Sequence, residues 1–284
     1  MEYTIITTFN QSGLEQYGQT MIDSFDQHWP RSVPLVVYAE DCQPKIPSSR
    51  VSVKDLLAAS PDLVAFKQRH ANNPVANGRV AKDTNVPFAD NAFKWDAVRF
   101  SHKVFAVLHA CATEQTDWVI WLDADTKTFA PVPDSFLPLV CNTHSLACYL
   151  GRREKYHSEC GWVAYNLRHP DCAAFMKQWQ DLYITDQLFD LREYHDSFVF
   201  DEIRKQFQLR GVQFHNLSPT LPGKGPGHPF IASALGQYMD HMKGSKRKAL
   251  GHSLPDDYQR NQGLNSSVPY WQSIFQKSPS LPRR

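Results

Sequence analysis

Two carboxylates, Asp123 and Asp125, stand at the end of an apolar run, Trp118 to Leu122, with only Ala124 between them. Anionic groups this close raise each other's pKa unless something cationic sits between them. A hard divalent ion, Mg²⁺ or Mn²⁺, meets that need and leaves coordination positions open for phosphate oxygens. The spacing therefore points to metal-assisted chemistry on a phosphate-bearing substrate. The structural alternative is that Asp125 caps a turn and Asp123 is solvated. Because every residue from Trp118 to Leu122 is apolar, both faces of that strand must be covered, as in the middle of a parallel α/β sheet. Ligands of such sheets bind beyond the carboxyl ends of the strands.

The elements that must position this pair alternate in the first half of the chain. Tyr3 to Phe9 reads as a strand, Leu14, Tyr17, Met21, Ile22 and Phe25 follow at helical spacing, and Pro34 to Ala39 reads as a second strand. Residues 70 to 92, with Asn72, Asn73, Pro74, Asn77, Gly78 and Pro87, form a loop too long for a simple connection. Ala97, Val98, Ser101, Val104, Phe105 and Leu108 share a helical face leading to the Asp123 strand, and Arg99 and Lys103 lie on a neighbouring one. Further on, Ser145 to Leu150 and Trp162 to Asn166 read as strands, and a helix begins with Pro170 in its first turn. Phe198, Val199, Ile203 and Phe207 mark another helix, and Val212 to Leu217 a short strand. The loop from Pro222 to Pro229 is a turn more readily than a phosphate cradle, because its glycines neither follow a strand nor open a helix. Residues 278 to 284 are expected to be a flexible tail.

Composition narrows the setting. The chain has 284 residues and a formal net charge of +1, so no global field draws it to nucleic acid or membrane. No run approaches the roughly 18 apolar residues of a membrane span, and Met1, Glu2 and Tyr3 do not open a signal segment, so a cytoplasmic protein is expected. Six cysteines lack the short paired spacings of zinc or redox motifs and read as reduced and mostly buried.

Four segments resemble the GT-A glycosyltransferases, most nearly the family 8 enzymes typified by glycogenin and bacterial lipooligosaccharide galactosyltransferases. Thr7 to Asn10 ends the first strand where that family holds base and ribose, with Tyr17 in the next helix. Arg99 stands about one helix upstream of the carboxylates, and Trp121 to Asp125 is similar to the Asp-x-Asp signature. His241 to Lys246 is similar to the late His-x-x-Gly-x-x-Lys motif, one residue shorter, so Lys246 and Arg247 are interchangeable at its end. The resemblance implies an α/β, GT-A (Rossmann-like) fold: a mixed, mostly parallel central sheet flanked by helices. It implies one domain over 1–277, with a nucleotide-binding half to about 130 and an acceptor half from about 131.

By the same resemblance Asp123, Asp125 and His241 would ligate Mn²⁺ (or Mg²⁺), and Thr8, Asn10, Tyr17, Arg99, Asp123, Ala124, Gly244 and Lys246 would contact a nucleoside-diphosphate sugar, with UDP favoured. The 241–248 segment, with Gly244 as hinge, would close over the diphosphate. His157 to Asn166 is similar to the segment running along the sugar site, with Glu159 at its polar position. Tyr194 to Phe198 is similar to the family's later acidic segment, and Asp186 with Gln187 matches its dipeptide but falls early. Asp196 is the carboxylate expected near the anomeric carbon, Glu159 the second candidate, and a plain helix cap the alternative for Asp196.

The implied reaction is sugar transfer to an acceptor hydroxyl with retention; a glycan, a lipid-linked sugar, a protein hydroxyl or a modified nucleobase all fit as acceptor. A metal-dependent nucleotidyltransferase or phosphohydrolase is the rival enzyme class, and a non-catalytic nucleotide-sugar-binding module the rival outside enzymes.

Overall fold

The computed structural model describes residues 1–82, 91–153, 156–218, 227–259, 265 and 267–276. Part of the 70–92 loop, most of the 222–229 loop and the 278–284 tail lie outside the described residues.

Four strands, β1 (Tyr3–Asn10), β2 (Leu35–Glu40), β3 (Val51–Asp55) and β4 (Trp118–Leu122), run parallel. Beyond β4 come β6 (Ala147–Leu150), β7 (Glu159–Asn166) and β8 (Phe214–Asn216), while β5 (Thr126–Thr128) and β9 (Met239–His241) form a separate ladder. The large sheet has seven strands in the order β3-β2-β1-β4-β7-β6-β8. Its β4–β7 and β7–β6 pairs are antiparallel, and the others parallel, so it is mixed and mostly parallel. The uniformly apolar β4 is central and covered on both faces, but its neighbours are one parallel strand and one antiparallel strand.

Alternate residues of β4 feed two cores. Val119 and Trp121 join the helices Pro61–His70, Ala97–Thr113, Cys172–Ile184 and Asp196–Leu209. Trp118, Ile120 and Leu122 join the helix Gln19–His28, the short helix Phe136–Val140 and Trp271 near the end of the chain. Both clusters draw residues from the first and second halves of the chain.

Several boundaries differ from the sequence reading. β3 and the Pro61–His70 helix were not anticipated: β3 is an edge strand whose middle residues are solvated, so it lacks an apolar run. The Cys172–Ile184 helix starts after Pro170, with Asp171 as its N-cap residue. β7 starts three residues before Trp162, since Glu159 and Cys160 are buried in the strand. The turn of helix before Gln19 is wound as a π-helix over Leu14–Gly18, which packs Gly18 directly on the Phe9 ring. All six cysteines are free thiols. Among the described residues no helix is long and apolar enough to cross a membrane.

Candidate active site

The parallel strands set the site. β1 ends at Asn10, β2 at Glu40 and β4 just before Asp123, so all three deliver polar side chains to one edge of the sheet. There a cavity of about 1110 Å³ opens, large enough for a nucleotide bearing a sugar.

Asp123 and Asp125 occupy a tight turn between β4 and β5, closed by the Thr126 amide donating to the Asp123 carbonyl at 3.0 Å. The β5–β9 ladder then decides which distant residue joins them. Its register pairs Thr126 with His241, and the Met242 amide donates to the Asp125 carbonyl at 2.9 Å. His241 Nε2 consequently lies 3.3 Å from Asp123 Oδ2 and 3.1 Å from Asp125 Oδ1. One ligand atom from each of the three residues falls within 4.8 Å of the others, a set of two carboxylates and one imidazole that fits a divalent ion.

Behind His241 stands Glu159, with Oε1 3.5 Å from His241 Nδ1. A Cβ on Gly161 would lie 2.5 Å from His241 Cε1 and 2.7 Å from its Nδ1, so only glycine leaves room for the ring. Glu159 is buried and surrounded by cations: Arg152 pairs with Oε2, and Lys243 Nζ lies 3.1 Å from the same oxygen.

Lys103 organises the other side. Its Nζ lies 3.1 Å from Asp123 Oδ1, 2.7 Å from Asp196 Oδ2 and 2.5 Å from the Cys160 carbonyl oxygen, and it sits 4.8 Å from the centre of the Trp121 ring. A buried ammonium is tolerated because each donor has an acceptor. Trp121 Nε1 donates to Asp123 Oδ1 at 2.6 Å, completing the fixing of that carboxylate.

The electrostatics follow from these contacts. Burial works to raise the pKa of Asp123, and the Lys103 cation with His241 overcomes it, leaving the carboxyl below its ordinary value. Asp125 behaves likewise under His241. Burial pulls His241 down, but Asp125, Asp123 and Glu159 outweigh it and push the imidazole up to about 10. Glu159 is held well below its usual range by Arg152, Lys243 and His241 against the effect of burial.

Thr8, Asn10, Tyr17, Arg99, Asp123, Ala124, Asp125, Glu159, Asp196, His241 and Gly244 all line the cavity. Some are already engaged: the Thr8 hydroxyl shares its one proton between the Tyr38 carbonyl at 2.6 Å and Glu40 Oε1 at 2.9 Å, and Asn10 Oδ1 accepts from the Gly13 amide at 2.9 Å. Arg99 is exposed, unlike the buried Lys103 one turn on. Asp196 is the first residue of its helix, but His195 is the N-cap and the Asp196 carboxylate turns to Lys103. Lys246 is exposed and outside the lining, and Arg247 pairs with Asp257. Lys248 instead reaches Asp125 Oδ2 at 3.0 Å and lies 4.4 Å from the Tyr17 ring centre. Asp186 is away from the cavity, paired with Arg69 and His70 at 2.9 Å each.

His241 belongs to β9 and is buried there, so it is part of the β5–β9 ladder rather than of the segment expected to close. Gly244 has φ +84° and starts the helix Ser245–Leu250, which carries Lys248 inward. The residues that sequence reasoning did not single out as functional are Lys103, Glu40 and Arg152. A lysine one turn from an arginine on the helix leading to the carboxylates was the visible sign of Lys103, and the polar end of an apolar strand that of Glu40. Nothing local marks Arg152, and Lys248 stands out only as a member of the basic cluster Lys243, Lys246, Arg247 and Lys248, one face of which could reach phosphate.

No family model matches the chain, and no curated protein matches it by sequence. Among solved structures it is similar to the apo form of mouse xyloside xylosyltransferase 1, with a TM-score of 0.45 and 12% identity over 77% of this chain and 86% of that one. It is also similar to the glycosyltransferase GlyE of Streptococcus pneumoniae TIGR4, with a TM-score of 0.43 and 11% identity over 76% of this chain and 45% of that one. A third is the galactosyltransferase LgtC in complex with donor and acceptor sugar analogues, with a TM-score of 0.38 and 12% identity over 70% of this chain and 69% of that one. The chain thus spans less than half of the GlyE chain. Likeness this distant leaves function to be argued from the site's own chemistry.

Proposed function

We propose that the protein is a metal-dependent glycosyltransferase of the GT-A type, moving a sugar from a nucleoside-diphosphate sugar, with UDP favoured, to an acceptor hydroxyl with retention. The observation that carries the reading is the meeting of Asp123, Asp125 and His241 at the carboxyl end of a central strand, in a cavity that Asp196 also lines. Asp123, Asp125 and His241 would hold Mn²⁺ (or Mg²⁺), which supplies neutralisation of the diphosphate as it departs.

The chain's own residues account for the rest. Lys103 joins Asp123 to Asp196, so one ammonium bridges the metal-side carboxylate and the carboxylate assigned to the anomeric carbon. We assign Asp196 to that carbon in preference to Glu159, because the Glu159 carboxylate is enclosed by Arg152, Lys243 and His241. Arg99 and Lys248 add positive charge on the diphosphate side, and Gly244 lets backbone approach it. Thr8, Asn10, Tyr17 and Ala124 line the part of the cavity given to base and ribose. The first 130 residues then form the nucleotide-binding half and the remainder, to 277, the acceptor half.

Incubation with a UDP-sugar, Mn²⁺ and an acceptor should release nucleoside diphosphate, read by phosphorus NMR. Nucleoside monophosphate with sugar phosphate would instead establish the phosphohydrolase reading, and nucleotide binding without turnover of any acceptor the binding module. Asp125→Asn should abolish Mn²⁺-dependent UDP binding in calorimetry; unchanged affinity would remove the site.

A further inference from the structure

A second group of metal-ligating side chains lines the same cavity and takes no part in the chemistry above: His157, just before β7, with Glu193 and His195, which lead into the Asp196–Leu209 helix. His195 Nε2 lies 3.0 Å from Glu193 Oε2, and His157 Nε2 lies 3.5 Å from the same oxygen. One ligand atom from each residue falls within 4.8 Å of the others. Ligands held about 2.0 to 2.2 Å from a tetrahedral zinc ion sit roughly 3.3 to 3.6 Å from one another. The two measured separations lie close to that range.

We propose that His157, Glu193 and His195 form a second divalent-metal site, selective for a borderline ion of the Zn²⁺ type and distinct from the Asp123, Asp125 and His241 set. The chemistry of the donors separates the two: two imidazoles and one carboxylate suit Zn²⁺ or Co²⁺, whereas two carboxylates and one imidazole also accept Mn²⁺ and Mg²⁺. Three protein ligands leave a coordination position for a water or a substrate oxygen on the cavity side.

The surroundings support ligation. His157 Nδ1 lies 4.0 Å from the buried Asp201 carboxylate, on the side of the ring away from the Nε2 that faces Glu193. Asp201 is itself fixed, accepting from the Ser158 amide at 2.9 Å and the Ser158 hydroxyl at 2.6 Å. The His195 ring is packed by Phe93, Phe100 and Phe198, so its direction is set by contacts that no metal has to supply. Two cations approach Glu193, Arg192 at 3.5 Å and Lys94 at 3.7 Å, and both approach Oε1, leaving Oε2 to the imidazoles.

The test uses the full chain and metal alone, so it is read without any nucleotide and its outcome is separable from that of sugar transfer. The protein is dialysed against Zn²⁺ in the presence of excess Mn²⁺, and bound zinc is measured by elemental analysis. The expected result is one retained Zn²⁺, weakened at least tenfold by His157→Ala and by the volume-conserving Glu193→Gln, and unaffected by Asp125→Asn. Co²⁺ should give the intense visible absorption of a tetrahedral site in the parent protein and not in His157→Ala. Circular dichroism establishes that each variant is folded, and either folded variant suffices. Failure of the parent protein to retain zinc overturns the proposal, as does zinc retention unchanged in a folded His157→Ala or Glu193→Gln, or lost only in Asp125→Asn; the three residues would then be an ion-paired cluster alone.

Discussion

Gly161 is the residue on which the geometry of His241 turns. A methyl group there would lie 2.5 Å from His241 Cε1, far inside the 3.5 to 4.0 Å at which carbon atoms attract. Gly161 lies where the β6 register shifts, but its carbonyl accepts from the Asp123 amide at 2.8 Å, which ties its backbone to the carboxylate turn and leaves the imidazole to move. Gly161→Ala should therefore lower Mn²⁺ affinity at least tenfold while leaving the far-ultraviolet dichroism intact; calorimetry that returns the parent affinity would show the ring is not held as described. Lys248 and Lys246 make a second residue-scale contrast. Lys248 touches Asp125 and the Tyr17 ring, whereas Lys246 is exposed. Lys248→Ala should weaken UDP binding in the presence of Mn²⁺ by about an order of magnitude, and Lys246→Ala should leave it unchanged. The reverse outcome would restore the lysine expected from the resemblance.

At the scale of elements, long-range ties hold the pieces around the site in register. β5 and β9 are three residues each, too short to be stable by themselves, and their ladder is anchored by Asp240, which accepts from the Ser253 amide and the Tyr270 hydroxyl at 2.8 Å each. Asp186 provides another tie: it has a left-handed φ of +61° and joins the Pro61–His70 helix to the turn after Ile184 through Arg69 and His70. Burial acts to raise its pKa, but Arg69 and His70 lower it overall. A carboxyl with a lowered folded pKa stabilises the fold above its ordinary value, and that contribution is lost as the pH falls through the folded value. Asp186→Asn, which keeps the left-handed tolerance, should cost no more than about 1 kcal/mol near neutral pH because the pair is over a third exposed. Urea denaturation should show this difference narrowing as the pH drops below about 4, with activity unchanged throughout. A difference that persists in acid would place the effect in packing.

For the whole molecule, the consequence is that ligand and fold are coupled at one edge of the sheet. The site takes residues from the ends of β1, β2 and β4, from β7, from β9, from the π-helical turn Leu14–Gly18 and from the helices Ala97–Thr113, Asp196–Leu209 and Ser245–Leu250, so unfolding any of these dissolves it. A ligand at 100 times its dissociation constant stabilises by roughly 2.7 kcal/mol, which for a chain of this size raises the midpoint by about 5 °C. UDP with Mn²⁺ should produce a shift of that order, either alone should produce less, and Asp125→Asn should abolish the combined effect. Equal shifts with UDP alone would separate nucleotide binding from the metal residues.

Local chemistry was enough to read the strand through Asp123, because an unbroken apolar run must be buried on both faces and its first carboxylates must then stand at its end. It was also enough for β1, β2 and the helix carrying Lys103, where burial follows residue periodicity. β3 escaped because an edge strand needs few apolar residues, and the start of β7 because Glu159 is polar yet buried among charges. Only the tertiary structure decided which lysine meets Asp125, and that Lys103 joins Asp123 to Asp196. The physical reason is that ion pairs between residues about 20 to 120 positions apart leave no trace in periodicity or spacing. Packing brings them together, and the low dielectric of the buried site makes the pairing necessary.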